Sequence, residues 1–201
     1  MIVDIDVHAA AGTSEIFEAD PSVLVCSLHH GSPNFYPQNT GQAWAKKTGP
    51  EHMGVGEGNG FNVNVRCEKR EYLRDLARQH LLTLRPLSRR SFASGNISDG
   101  DFITACEDII LPIGQEFRPD IIIVSAGFGA AEGDCGQCHV SPQGFAHFFH
   151  LLMRLTNGRL IVAAEGGYSP PIFAECIGQV LATLLGDYKS KADHSMSTLA
   201  R

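Results

Sequence analysis

Five short apolar runs constrain this chain more than any other feature. They lie at residues 2–7, 23–27, 61–65, 120–125 and 160–164, and most are continuously apolar instead of alternating. Such runs suit parallel strands buried on both faces, because a sheet with one wet face would show a period of two. Helical patterns separate the later runs. Phe102, Ile103, Cys106, Ile109, Ile110, Ile113 and Phe117 recur at helical spacing, with Pro112 expected to bend or shorten that helix. Residues 141–158 open on Ser141-Pro142, place Phe145, Phe148, Phe149 and Leu152 on one face, and close on Asn157-Gly158. Residues 170–186 repeat the scheme with Ile172, Phe173, Cys176, Ile177, Val180 and Leu184 before Gly186. Strand and helix in alternation predict an α/β fold with a mainly parallel sheet, and 201 residues suffice for one domain with a substantial core.

The remaining composition narrows the class. With 43% hydrophobic and 19% charged residues the chain reads as globular, and no run reaches the roughly eighteen apolar residues of a membrane span. Its first residues, MIVDIDVH, lack the basic start and apolar stretch of a secretory signal, so a nuclear or cytoplasmic location is expected and no membrane partner. A net charge of −6 argues against strong direct nucleic-acid binding. Six cysteines without an export signal do not suggest a disulfide framework; Cys26, Cys106 and Cys176 lie in apolar segments and read as small buried hydrophobes. Residues 66–97 stand apart as a basic insertion, since residues 66–90 hold eight of the 16 Lys and Arg residues. A solvated helix with a basic tail is the plainer reading there, a phosphate-binding patch the other. The polar tail 188–201 is expected to be disordered, leaving a domain at 1–187.

Chemistry concentrates in a few places. On a strand, Asp4, Asp6 and His8 of VDIDVH project from one face. Two carboxylates and an imidazole there are costly unless compensated, so the group is either a divalent metal site at a strand's carboxyl end or a hydrogen-bonded cluster. His29 and His30 invite a general-base reading, although nothing local orients them and a surface or loop position is the simpler expectation. Tyr168, presented on a glycine hinge after the last strand, is either an oxyanion donor or a turn tyrosine. Cys135, Cys138 and His139 spell C-x-x-C-H, as in a c-type haem attachment site, and also half of a zinc knuckle. Without export or a second cysteine pair nearby, neither reading is preferred.

The segments VDIDVHAAAGT, VLVCSLHHGSPNFYP, GEGNGFNVNV, FRPDIIIVSAGF and AAEGGYSPP, in that order, resemble the metal-dependent histone deacetylases, above all the class II type and its acetylpolyamine-hydrolase relatives. The resemblance implies the arginase/deacetylase fold, a three-layer α/β/α arrangement around an eight-stranded parallel sheet. It implies Asp6 and His8 as zinc ligands, Asp4, Ser27 and Leu28 at a potassium site, Phe35 and Tyr36 at the acyl-lysine tunnel, and Tyr168 as the catalytic tyrosine. In such a site zinc polarises the amide carbonyl and activates water, a histidine takes the proton and the tyrosine stabilises the oxyanion.

Two elements of the pattern are absent. The third zinc ligand of the family, an aspartate, is replaced by Gly129, and the consecutive histidines that precede the first ligand strand have no counterpart, because the family's N-terminal part is missing. His29-His30 follows that strand and does not substitute for them. Several sheet strands are expected to be missing too, leaving an edge that a partner or an absent segment would cover. The resemblance therefore implies an impaired or inactive zinc-dependent deacetylase, with zinc weak or absent and potassium retained. The alternatives are a silent deacetylase-like binding module or a fragment of a longer deacetylase. Expected partners are an acetyl-lysine protein such as a histone, an acetyl-polyamine, and corepressor-type proteins. Asp134, Cys135 and His139, in the loop after Gly129, are candidate substitute ligands.

Overall fold

The computed structural model describes residues 1–32, 34–42, 44–67 and 97–188. Most of the basic insertion, together with the tail beyond residue 188, lies outside the described residues. Five parallel strands form one sheet in the order β3-β2-β1-β4-β5: β1 (Ile2–Asp4), β2 (Val25–His30), β3 (Asn62–Cys67), β4 (Ile122–Gly127) and β5 (Leu160–Gly166). All five expected strands are present with shifted ends. The first is shorter than expected because Asp4 and Asp6 turn their own backbone: Asp6 N donates to Asp4 Oδ1 at 2.9 Å and His8 N to Asp6 Oδ1 at 2.7 Å. Asp side chains that bond two residues ahead compete with the sheet ladder. Pairing continues irregularly, with Ile5 N donating to Ser125 O and His30 N to Val7 O.

One face of the sheet packs against helices. The first long helical stretch runs as α2 (Asp99–Ala105), a π turn (Cys106–Ile110) and α3 (Leu111–Phe117). Pro112 does not break it. A proline has no N–H for the carbonyl four residues back, and the widened turn just before it accommodates that loss. Then come α4 (Pro142–Met153) and α5 (Pro170–Leu184). Ser141 caps α4, accepting from Gly144 N at 3.0 Å, and is itself tied to the start of α2 through Ser141 N and Oγ donating to Asp99. Phe145, Phe148, Phe149 and Leu152 are fully buried, as the helical spacing predicts, and Cys176 and Val180 bury the inner face of α5.

The other face carries α1 (Ala11–Phe17), fixed over β2 and β3 by Ser14 Oγ donating to Asn62 Oδ1. Nothing in AGTSEIF announces a helix: it holds a glycine, its N-cap is Ala10, and no side chain caps it. Among the described residues this face is thinly covered beyond α1. Ile2, Ile123 and Ile161 share one row of the sheet, and Ile123 and Ile161 are 39% and 51% exposed. β5 ends the sheet on that side, the open edge that the short set of strands leaves. Among the described residues no helix is long and apolar enough to cross a membrane.

Candidate functional site

The carboxyl ends of β1, β4 and β5 meet at the residues singled out by chemistry. Asp6 Oδ1 lies 2.8 Å from His8 Nδ1, and both side chains are partly exposed. Two glycines make room for this pair. A Cβ on Gly127 would overlap the Asp6 carboxylate, and one on Gly166 would stand 3.0 Å from Asp6 Oδ2. Their only signal in the sequence is a glycine closing each apolar run. Aromatic rings wall the imidazole: Phe35 stacks between His8 and His30, with ring centres at 5.1 and 4.4 Å, and Tyr36 meets His8 edge-on at 5.6 Å.

Beneath them Asp4 is 7% exposed. Burial pushes its carboxyl up to about 7, and the Asp6 and Glu165 charges act in the same direction against hydrogen bonds from Asp6 N–H and Ser125. A nearby cation would offset that cost. Ser27 Oγ accepts from Ala10 N at 3.1 Å and lies 2.8 Å from His29 Nδ1. His29 is not the surface or loop residue the sequence suggests: it lies on β2, 1% exposed. Its Nε2 faces the Thr48 carbonyl at 3.2 Å, which can only accept, so Nε2 carries the proton and Nδ1 accepts from Ser27. Burial, aided by the Arg66 charge, pushes this imidazole down to about 3, which keeps it neutral. Leu28 is fully buried and would offer a cation only its main-chain oxygen.

The loop after β4 is tightly ordered. Phe128 is buried against Phe145 and Phe173, and Phe128 N donates to Gly166 O. Gly136 N returns to Gly129 O at 3.0 Å. A Cβ at Gly129 would stand 3.1 Å from Val7 Cγ1 and 3.8 Å from Cys135 Sγ, so the space beside it admits a side chain with a small adjustment. Asp134 Oδ1 accepts from Cys135 N at 2.7 Å, and Oδ2 accepts from Tyr168 N and Ser169 N, each at 2.8 Å. Partial burial raises the Asp134 carboxyl, but these hydrogen bonds outweigh it and hold the pKa below the ordinary value. Cys135 is exposed, and its thiol is pushed up by burial and by Asp134. Cys138 is buried, with its thiol raised to about 12 by desolvation. His139 faces Glu132 at 3.5 Å. All six cysteines are free, with Cys26, Cys106 and Cys176 fully buried as expected.

The donor set decides whether zinc fits. Asp6 Oδ1 and His8 Nδ1, 2.8 Å apart, could offer two donors to one cation. Position 129 offers none, and among the described residues no three His, Cys, Asp or Glu side chains are grouped to hold a metal ion. A catalytic zinc keeps three protein ligands, so the described residues do not by themselves make that site. Tyr168 sits 70% exposed on the turn after β5, behind Gly167 at φ 125°.

Comparison with known proteins agrees with this geometry. The sequence model of the histone deacetylase domain matches residues 1–184. Histone deacetylase HDA1 of Saccharomyces cerevisiae is 34% identical over 188 residues, covering 93% of this chain and 22% of the yeast protein. Histone deacetylase 15 of Arabidopsis thaliana is 36% identical over 189 residues, covering 93% of this chain and 28% of the plant protein. The crystal structure of the HDA15 HD domain superposes with a TM-score of 0.73 at 34% identity, over 96% of this chain and 46% of that one. The chain thus spans about a quarter of the curated relatives and under half of the solved chain. Its five-stranded parallel sheet and flanking helices are a large part of the arginase/deacetylase fold. On this match, the chain belongs to the histone deacetylase family.

Proposed function

We propose that this chain is a deacetylase-type module that engages acyl-lysine side chains without hydrolysing them at a competent rate. Phe35 and Tyr36 would line the slot for the apolar stem, and Tyr168 would meet the acyl oxygen. Asp4, with Ser27 and the Leu28 main chain, would hold potassium. The observation that carries the reading is Gly129, which leaves Asp6 and His8 as a two-donor pair. Losing a metal ligand or a general base removes orders of magnitude in rate. The substrate class is an acetyl-lysine protein such as a histone, or an acetyl-polyamine, in the nucleus or cytoplasm, with corepressor-type proteins as partners.

The test is zinc content and turnover of an acetyl-lysine peptide by the purified chain. Sub-stoichiometric zinc with saturable peptide binding is expected. Zinc-dependent turnover abolished by Tyr168→Phe would overturn the reading. A second reading rests on coverage: spanning 46% of the solved chain, this sequence would be one part of a longer deacetylase. The proton-handling histidines would then come from another segment, and a consecutive His-His pair encoded in frame upstream would favour it.

A further inference from the structure

The Tyr168 ring is 70% exposed, so packing does little to fix it, and it follows Gly167 at φ 125°. Whatever sets its direction must act through the backbone. Both N–H groups on its turn, those of Tyr168 and Ser169, donate to a single carboxylate oxygen, Asp134 Oδ2, at 2.8 Å each. The start of α5 has little else to satisfy it. The Ser169 side chain makes no cap hydrogen bond, and Pro170 and Pro171 have no N–H. Asp134 is itself held, with its N–H on Ala131 O at 3.1 Å, its Oδ1 on Cys135 N, and Gly136 N closing onto Gly129 O next to it.

We propose that Asp134 is the positioning residue of Tyr168, a carboxylate clamp that ties the loop carrying Gly129 to the turn carrying the tyrosine. The functional meaning rests on the reading of Tyr168 as the group that meets the acyl oxygen. Hydrogen bonds to a charged acceptor are about twice as strong as neutral ones, so a carboxylate serves where a serine or asparagine would hold the turn loosely. Three N–H groups take three of the roughly four lone-pair sites of the Asp134 carboxylate, which leaves it little capacity to serve as a substitute ligand as well. Asp134 thus adds a polar link between this loop and the Tyr168 turn to the one that Phe128 makes through Gly166 and Phe173.

The experiment uses the full chain labelled with 3-fluorotyrosine, which has four tyrosines, Tyr36, Tyr72, Tyr168 and Tyr188. Tyr168→Phe assigns the Tyr168 fluorine signal. In Asp134→Ala that signal should move to the position of free fluorotyrosine and narrow severalfold, while those of Tyr36 and Tyr188 stay in place. Asp134→Asn keeps one acceptor oxygen and should give a partial shift, and it decides the matter if the alanine variant does not fold. An unmoved Tyr168 signal in the folded variants overturns the clamp, and so does a joint movement of all signals in Asp134→Asn, which would make Asp134 a general stability residue. A separate arm measures acetyl-lysine peptide affinity in Tyr168→Phe. Unchanged affinity there removes the role of Tyr168 and leaves the clamp, read by fluorine, standing.

Discussion

The end of β1 and the loop after β4 lie against each other, yet one carries a cluster of polar side chains and the other has only a glycine at position 129. At β1 the polar residues Asp4, Asp6 and His8 support one another by side-chain hydrogen bonds, and Gly127 and Gly166 yield space to them. In the loop after β4 the order comes from a buried phenylalanine and backbone hydrogen bonds, none of which involves a side chain at position 129. The difference teaches that the loop's shape and its capacity to donate to a metal are separable: the first is held by packing, and the second rests on one side chain.

The largest expected effect breaks the packed side. Phe128→Ala removes a fully buried ring, and urea unfolding should read a loss of about 3–5 kcal/mol. A loss under half of that would mean that something other than packing orders the loop. Next, Gly129→Asp restores a carboxylate where the backbone is not left-handed and a Cβ nearly fits. Zinc affinity, measured by competition with a chromogenic chelator, should rise by at least the roughly hundredfold that even an outer partner of a metal ligand carries. No rise would mean that Asp6 and His8 are not poised for a third donor.

Two glycines, only two positions apart, sharpen the contrast further. Gly127→Ala drives a methyl group into the Asp6 carboxylate and should cost about 1–3 kcal/mol, whereas Gly129→Ala meets only Val7 and should cost less than about 1 kcal/mol. Equal costs in thermal unfolding would erase the distinction between the two regions. The smallest effect lies at the junction beyond the loop, where Ser141→Ala removes the α4 cap and should cost about 1 kcal/mol by the same measurement.

Much of this was legible in residues. The Phe145, Phe148, Phe149, Leu152 face is a periodic pattern that survives into the fold because burial enforces it, whereas the continuous apolar run at 160–164 was legible as a strand although much of it stays exposed. That position 129 carries no side-chain donor is plain from the sequence, since a glycine cannot ligate through a side chain. Helix α1 was not, because it lacks caps and strong formers and is held over β2 and β3 with the help of Ser14 and Asn62. The burial of His29 was equally hidden: the adjacent imidazole of His30, on the other face of β2, stays partly exposed, and the segment carrying Thr48 closes over His29.

By itself the sequence determined the parallel α/β class, the helical faces and the cluster at Asp4, Asp6 and His8, all of which depend on local residue type and period. Tertiary structure alone decided that Asp134 reaches across 34 residues to the turn of Tyr168, and that Gly127 and Gly166 clear space for Asp6. The reason is physical. Hydrophobic periodicity is repeated along a segment and can be read there, whereas a single hydrogen bond or a single close approach between distant segments leaves no periodic trace.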